Sequence, residues 1–319
     1  MKRFTSILLG LSIAALSLRA GELHYAVVPN FFDGKPEGQA LGPCHGGAVT
    51  DKSGNVYVTT DTKRGIAVYN KAGKYLKSVG PSRIHALEIR SEGGTEFIYA
   101  ARPSDHDVLK LKLDGEIVWT LQAPAEAGLY KDGKGFNPCA VTVAPDGSLY
   151  VADGYGSNFI LHFDKARKFV KAFGGPGAEE GKFNTCHGIA LDLRQGKPLL
   201  LVCNRNNNRV EHWDLEGHFV RVIQKDLRMP AAVHIRGNYA LIPELQGRVT
   251  VLNKDGSIAA QLGDNPNTQH RANFGLAQDQ WVEGICNSPH GGCIAADGSL
   301  IVSEWTQFGR VHKFVRSKK

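Results

Sequence analysis

The chain reads as an all-β protein, a six-bladed β-propeller, and three observations predict it. First, strong helical periodicity is missing from the 319 residues, while short alternating strands bounded by turn residues run throughout. Second, two series of turns recur. One comprises residues 51–55, 144–148 and 295–299; the other comprises 70–73, 113–115, 215–217 and 254–256. Each turn carries a glycine, which supplies the positive φ of a tight hairpin. Third, a ligand-type residue followed by small or apolar residues recurs at the start of successive units. The period of roughly 40–50 residues is that of propeller blades.

The units follow in order. They open at His45, His85, Cys139, His187, near Ala231, and at His290. In the third unit, strands are predicted at 139–144, 148–152, 158–164 and 168–173; in the fourth, at 187–193, 199–203, 209–214 and 218–223. The sixth unit ends after its third strand, 310–315. The apolar stretch 23–28 precedes the first unit and has no partner of its own, so it is predicted to pair as the outer strand of the last blade. That closure removes an open sheet edge. Two connections, 122–137 and 264–288, are long and both enter an inner strand. They are expected over the face that carries the repeated residues, where long loops shape or cap a pocket.

Residues 1–20 read as an export signal, with Lys2-Arg3 as the basic region, 4–18 as the apolar region and Leu18-Arg19-Ala20 as the cleavage site. The apolar run is short for a membrane span, and no later run is long enough. The mature protein, 21–319, is expected as one exported domain, periplasmic or extracellular, and monomeric. Removing the signal takes away Lys2, Arg3 and Arg19 and no acid, leaving about +4 of the formal +7. The remaining charge is scattered. Its one cluster, Arg316, Lys318 and Lys319, reads as a solvated end and not as a nucleic-acid patch. Six cysteines in an exported chain permit disulfides without fixing any pairing, and no haem-attachment motif is present.

Aligned by blade, the residue that opens the inner strand reads His45, His85, Cys139, His187, Ala231, His290. Alternate blades of a six-bladed ring face the axis about 120° apart. His85, His187 and His290 therefore form a three-imidazole platform with a fourth position open, the arrangement of catalytic Zn²⁺ sites. A single channel-facing histidine more often bonds ordered water. His45 and Cys139 occupy equivalent positions on blades one and three, which leaves an alternative ligand set open. Cys44 and Cys186 read as disulfide partners or as small buried residues. The loops between second and third strands place Tyr155, Arg205, Glu244, Trp305, Lys63-Arg64 and Asp105-His106 on the same face. A tyrosine beside a metal can act as a general base, and an arginine can hold a carboxylate through two bonds. Taken singly, each of these is ordinary loop polarity.

The Asp-Gly repeats resemble NHL repeats. Tyr-Val-Ala-Asp-Gly-Tyr at 150–155 and Cys-His-Gly-Ile-Ala at 186–190 resemble peptidyl-α-hydroxyglycine α-amidating lyase. The likeness spans nearly all of the mature chain as repeats, with specific motifs in blades two, three, four and six. It implies a six-bladed propeller that cleaves a peptidyl-hydroxyglycine into a peptide amide and glyoxylate. It also implies Zn²⁺ held by His85, His187 and His290, Tyr155 as the base for the hydroxyl proton, and Arg205 on the substrate carboxylate. The substrate class so implied is a small molecule or peptide bearing a carboxylate. Four departures are legible. Asp61 stands near the position of the family's blade-one arginine, with Arg64 only a neighbour. Gly291 stands where the family has an acidic residue tied to structural Ca²⁺, so the likeness carries no ligand for Ca²⁺ there. His45 is additional, and the cysteine framework does not align. Two other functions compete. One is a non-catalytic propeller that binds a peptide, protein or glycan on this face. The other is a sugar-lactone hydrolase, but that would ask for carboxylate and Asn ligands to Ca²⁺, and the histidine platform argues against it.

Overall fold

A computed structural model describes residues 23–131 and 135–318; the expected signal segment 1–20 lies outside them. The described chain forms six four-stranded antiparallel sheets in a ring. Blade one holds Ala48–Thr50, Val56–Thr59, Ile66–Tyr69 and Tyr75–Val79, and blade two holds Ala86–Glu92, Thr95–Arg102, Asp107–Lys112 and Ile117–Gln122. Blade three holds Ala140–Val143, Leu149–Ala152, Phe159–Phe163 and Phe169–Gly174; blade four holds Cys186–Asp192, Leu199–Asn204, Arg209–Asp214 and Phe219–Gln224. Blade five holds His234–Arg236, Tyr239–Glu244, Arg248–Leu252 and Ile258–Leu262. Blade six takes Pro289–Ile294, Leu300–Glu304 and Arg310–Arg316 from the end of the chain, and Tyr25–Val27 from its beginning. The ring closes as the sequence predicts: Tyr25 pairs with Arg316, Ala26 with Val315 and Val27 with Phe314.

Both faces of each blade are covered by its neighbours, which explains why second strands such as Leu199–Asn204 read as continuous apolar runs. In the run from Leu199 to Cys203, Leu200 and Val202 pack toward blade three with Phe173, Phe183 and Trp213. Leu201 and Cys203 point the other way, onto Ala240, Ile242 and Leu252 of blade five. Six such clusters sit between the six pairs of neighbouring blades. Each fully buried aliphatic side chain in them contributes about 1.5–3 kcal/mol. The Asp-Gly turns hold their shape through the aspartate side chain. Asp51 Oδ1 accepts from the backbone N–H of Ser53 and Asn55, and Asp146 and Asp297 accept likewise from Ser148 and Ser299.

A second device positions the loops that enter the axis. The residue at the end of a second strand reaches back to the segment before the inner strand of its own blade. Asp153 Oδ1 accepts from Asn137 N at 2.7 Å, and Asn204 Oδ1 accepts from Asn184 N at 3.0 Å. Glu244 Oε2 accepts from Arg228 N at 2.5 Å, and Glu304 Oε2 accepts from Ser288 N at 2.7 Å. All four side chains are buried. Buried acceptors with such partners are stable, and they fix where each inner strand starts.

Candidate metal centre

The inner strands begin one to three residues later than the sequence suggests in most blades, and the reason bears on the site. Only in blades four and six does the strand start ahead of the histidine. There the register slips: Cys186 pairs with Asn204 and Gly188 with Cys203, while Pro289 pairs with Glu304 and Gly291 with Ser303. His187 and His290 are the unpaired residues of two β-bulges, a device that re-aims a side chain. The glycines that follow them let neighbouring inner strands close in. A Cβ on Gly291 would lie 2.4 Å from Gly47 Cα, and one on Gly188 would lie 2.8 Å from Ala232 Cα. In blade two, His85 sits just ahead of its strand, held by its N–H bond to Ala101 O at 2.8 Å.

The three imidazoles meet at the axis. Ring centres lie 4.6 Å apart for His85 and His187, 4.9 Å for His187 and His290, and 5.0 Å for His85 and His290. All three residues are buried. His85 Nδ1 lies 2.7 Å from Cys139 O and His187 Nδ1 lies 2.5 Å from Ala231 O. A carbonyl only accepts, so each Nδ1 carries the proton and each Nε2 keeps its lone pair. Burial, followed by the neighbouring imidazoles and Arg205, holds all three histidines well below their usual pKa. They are neutral at ordinary pH. Neutral imidazoles whose Nδ1 is anchored, as in His85 and His187, turn an Nε2 lone pair to the axis and suit a borderline divalent cation.

The structure brings Tyr155 and Arg205 to the same point. The Tyr155 hydroxyl lies 2.9 Å from His187 Nε2 and 3.3 Å from His85 Nε2. Arg205 donates to that hydroxyl at 2.9 Å, and its guanidinium carbon lies 5.2 Å from the centre of the tyrosine ring. Burial and the Cys139 thiol raise the phenol to about 12 against the opposing pull of Arg205. The phenol is therefore a donor at neutral pH in the chain alone.

His45 joins the group. Its ring centre lies 4.5 Å from His85 and 4.7 Å from His290. Potential ligand atoms of His45, His85 and His290 lie within 4.8 Å of one another, and so do those of His85, Cys139 and His187. His85 belongs to both groups. The Cys139 thiol, raised by burial, stays protonated.

Other residues expected on this face have different employment. Glu244 is consumed by Arg228 N, Arg248 and Thr250, far from any free role. Arg64 pairs with Glu37, and Asp105 with Arg83. Trp305 stacks on His45 at 4.9 Å. All six cysteines are free and buried, so Cys44 and Cys186 are small core residues and not disulfide partners. The long segment 264–288 is tied down through Ala272 N to Asn287 O and carries Phe274, whose ring lies 4.9 Å from Trp305. The carbonyls of Cys139 and Ala231 orient the site, yet no side-chain motif announces a carbonyl. Below the histidines, a channel of about 250 Å³ continues along the axis past Glu88 and His234.

Fold and site together define a six-bladed propeller with a histidine cluster on its axis. No protein-family model matches the chain. Among solved structures, a streptogramin B lyase is similar over 92% of this chain and 98% of that one, at 14% identity and a TM-score of 0.59. Virginiamycin B lyase from Staphylococcus aureus is similar over the same shares, at 14% identity and a TM-score of 0.58. A catalytically inactive histidine-to-alanine variant of that enzyme, with quinupristin, matches over 84% of this chain and 79% of that one, at 16% identity and a TM-score of 0.52. At such identity the likeness is one of fold.

Proposed function

We propose that this protein is an exported, zinc-dependent lyase acting on a small or peptidyl substrate that bears a carboxylate, as peptidyl-α-hydroxyglycine α-amidating lyase does. The observation that carries the reading is the meeting of three buried imidazoles, two of them anchored to backbone carbonyls, with one tyrosine hydroxyl and one arginine. His85, His187 and His290 would hold the ion. When bound, Zn²⁺ supplies a Lewis acid toward a substrate oxygen. That two of the fold's similar structures are lyases agrees with an elimination chemistry without specifying the substrate.

The chain's own residues divide the remaining work. Arg205 sits at the open side and holds the carboxylate through paired N–H bonds. Tyr155 takes the proton from the substrate's hydroxyl as the carbon–nitrogen bond breaks, and returns it to the departing amide nitrogen. The hydroxyl carbon becomes the aldehyde of glyoxylate and the nitrogen leaves as the peptide amide, so the single proton is conserved. Burial opposes the phenolate this requires, while Arg205 favours it; the arginine thus serves both binding and proton transfer.

The test is a glyoxylate-release assay on a peptidyl-hydroxyglycine, with Tyr155→Phe beside the wild type. The variant is expected to keep its metal and to lose about 10²–10⁴-fold in kcat. Unchanged turnover rejects Tyr155 as the base. A wild type that binds zinc but releases no glyoxylate rejects the substrate and keeps the metal site.

A further inference from the structure

We infer that His45 is a fourth imidazole ligand on the axis, oriented by Asp61. The inference rests on the zinc reading above and adds a residue to it. His45 lies against two of the three axial histidines, at 4.5 and 4.7 Å between ring centres, and its ligand atoms fall within 4.8 Å of theirs. Two neighbours fix the ring. Asp61 Oδ2 lies 3.4 Å from His45 Nδ1, and Trp305 stacks on the imidazole at 4.9 Å with planes 15° apart. Asp61 lies on the Nδ1 side of His45, as the Cys139 and Ala231 carbonyls do for His85 and His187, but as a charge contact without a hydrogen bond. Its charge favours the proton on Nδ1 and leaves Nε2 for the ion.

The backbone makes room for this ring. A Cβ on Gly46 would lie 2.3 Å from Ile84 O, and Gly47 has φ of +95° with Gly291 Cα 3.0 Å from where its Cβ would be. The Gly46-Gly47 pair lets blade one approach blades two and six at the axis, which carries His45 to the cluster. Larger residues would force it away.

A fourth imidazole changes what the site recognises. Four nitrogen ligands would bring no charge of their own to the ion, and the Asp61 carboxylate behind His45 would offset its double charge only in part. With Arg205 at hand, the open side would then favour an anionic substrate group such as a carboxylate. His45 is the least buried of the cluster, its side chain 22% exposed, so it lies on the substrate's side of the ion.

The experiment uses metal-stripped mature protein and two probes, Zn²⁺ titrated against a chromophoric chelator and Co²⁺ followed by its visible absorption. His45→Gln preserves bulk and Asp61→Asn removes only the orienting charge. His45→Gln is expected to weaken zinc binding by at least about 100-fold and to alter the cobalt spectrum. Asp61→Asn is expected to weaken zinc binding by about 10–100-fold. Wild-type zinc affinity and cobalt spectrum in His45→Gln, with both lost in His187→Ala, overturn the inference and leave the three-histidine reading standing. A wild type that takes up neither ion overturns both.

Discussion

Two sets of buried histidines occupy this molecule, and the difference between them separates scaffold from site. His212 and His312 lie between strands of blades four and six, each with Nε2 against a carboxylate. His212 is 2.9 Å from Asp192 Oδ2, and His312 is 2.6 Å from Glu304 Oε1. Arg194 closes the first group with bonds to both oxygens of Asp192, at 2.9 and 2.7 Å. Burial alone would raise Asp192, but the bonds from Arg194 and His212 outweigh it and hold the carboxyl well below the usual range. These histidines have their charge partner already, and their chemistry is spent on the fold. His85 and His187 lie against backbone carbonyls through Nδ1, and the opposite nitrogen of each meets only a tyrosine hydroxyl. It is this free side of the rings that the zinc proposal uses. Burial is common to both sets; what the ring nitrogens face distinguishes them.

That distinction can be broken by substitution. His212→Ala is expected to cost about 1.5–3 kcal/mol in denaturant unfolding, because it removes one hydrogen bond from a buried carboxylate that Arg194 still holds. Zinc content should not change. His187→Ala should do the reverse: it abolishes zinc retention while costing only about 1–2 kcal/mol, the price of an unpaired Ala231 carbonyl. If His187→Ala proves the more damaging to stability, the division between scaffold and site is wrong.

The titration of the axial set sharpens the comparison. His85, His187 and His290 have depressed folded pKa values, so below the unfolded value of 6.5 the unfolded chain binds protons that the folded chain refuses. The stability of the metal-free protein should therefore fall as pH drops through 6.5 and continue to fall toward the lowered folded values. Asp192 runs in the same sense but further down, its contribution present above the unfolded value of about 3.9 and lost only as pH falls toward its depressed folded pKa. Urea midpoints measured from pH 7.5 to 4.5 should show the first decline, and His187→Ala should flatten part of it. The smallest effect is expected at the thiol. Cys139→Ala should change zinc affinity by no more than about twofold if Cys139 serves the site only through the carbonyl that anchors His85 Nδ1, which the substitution keeps.

The fold was legible because repetition is a strong signal. Turn residues such as Asp146-Gly147 and Asp297-Gly298 mark each blade, and the unpaired stretch ahead of blade one had only one open edge to fill. The convergence of His85, His187 and His290 followed from counting blades. What escaped the sequence was local register and partner choice. The bulges at His187 and His290 depend on pairing with Asn204, Cys203, Glu304 and Ser303, which no local pattern encodes. Glu244 and Tyr155 both read as loop residues after a second strand, yet Glu244 stands at the end of its strand as Asp153 does in blade three and caps Arg228 N, while Tyr155 stands two residues further on and faces the axis. The cysteines misled in the other direction: an exported chain suggested disulfides, whereas all six thiols are free, five of them packed between blades and Cys139 beside the axial histidines.

The central claim is that carbonyl-anchored imidazoles on the axis hold a metal ion. Elemental analysis of the mature protein, purified without chelator beside His187→Ala, tests it most directly. The account predicts about one zinc per chain in the wild type and almost none in the variant, with both folded. A folded wild type that carries no metal and takes up none on incubation with Zn²⁺ contradicts it.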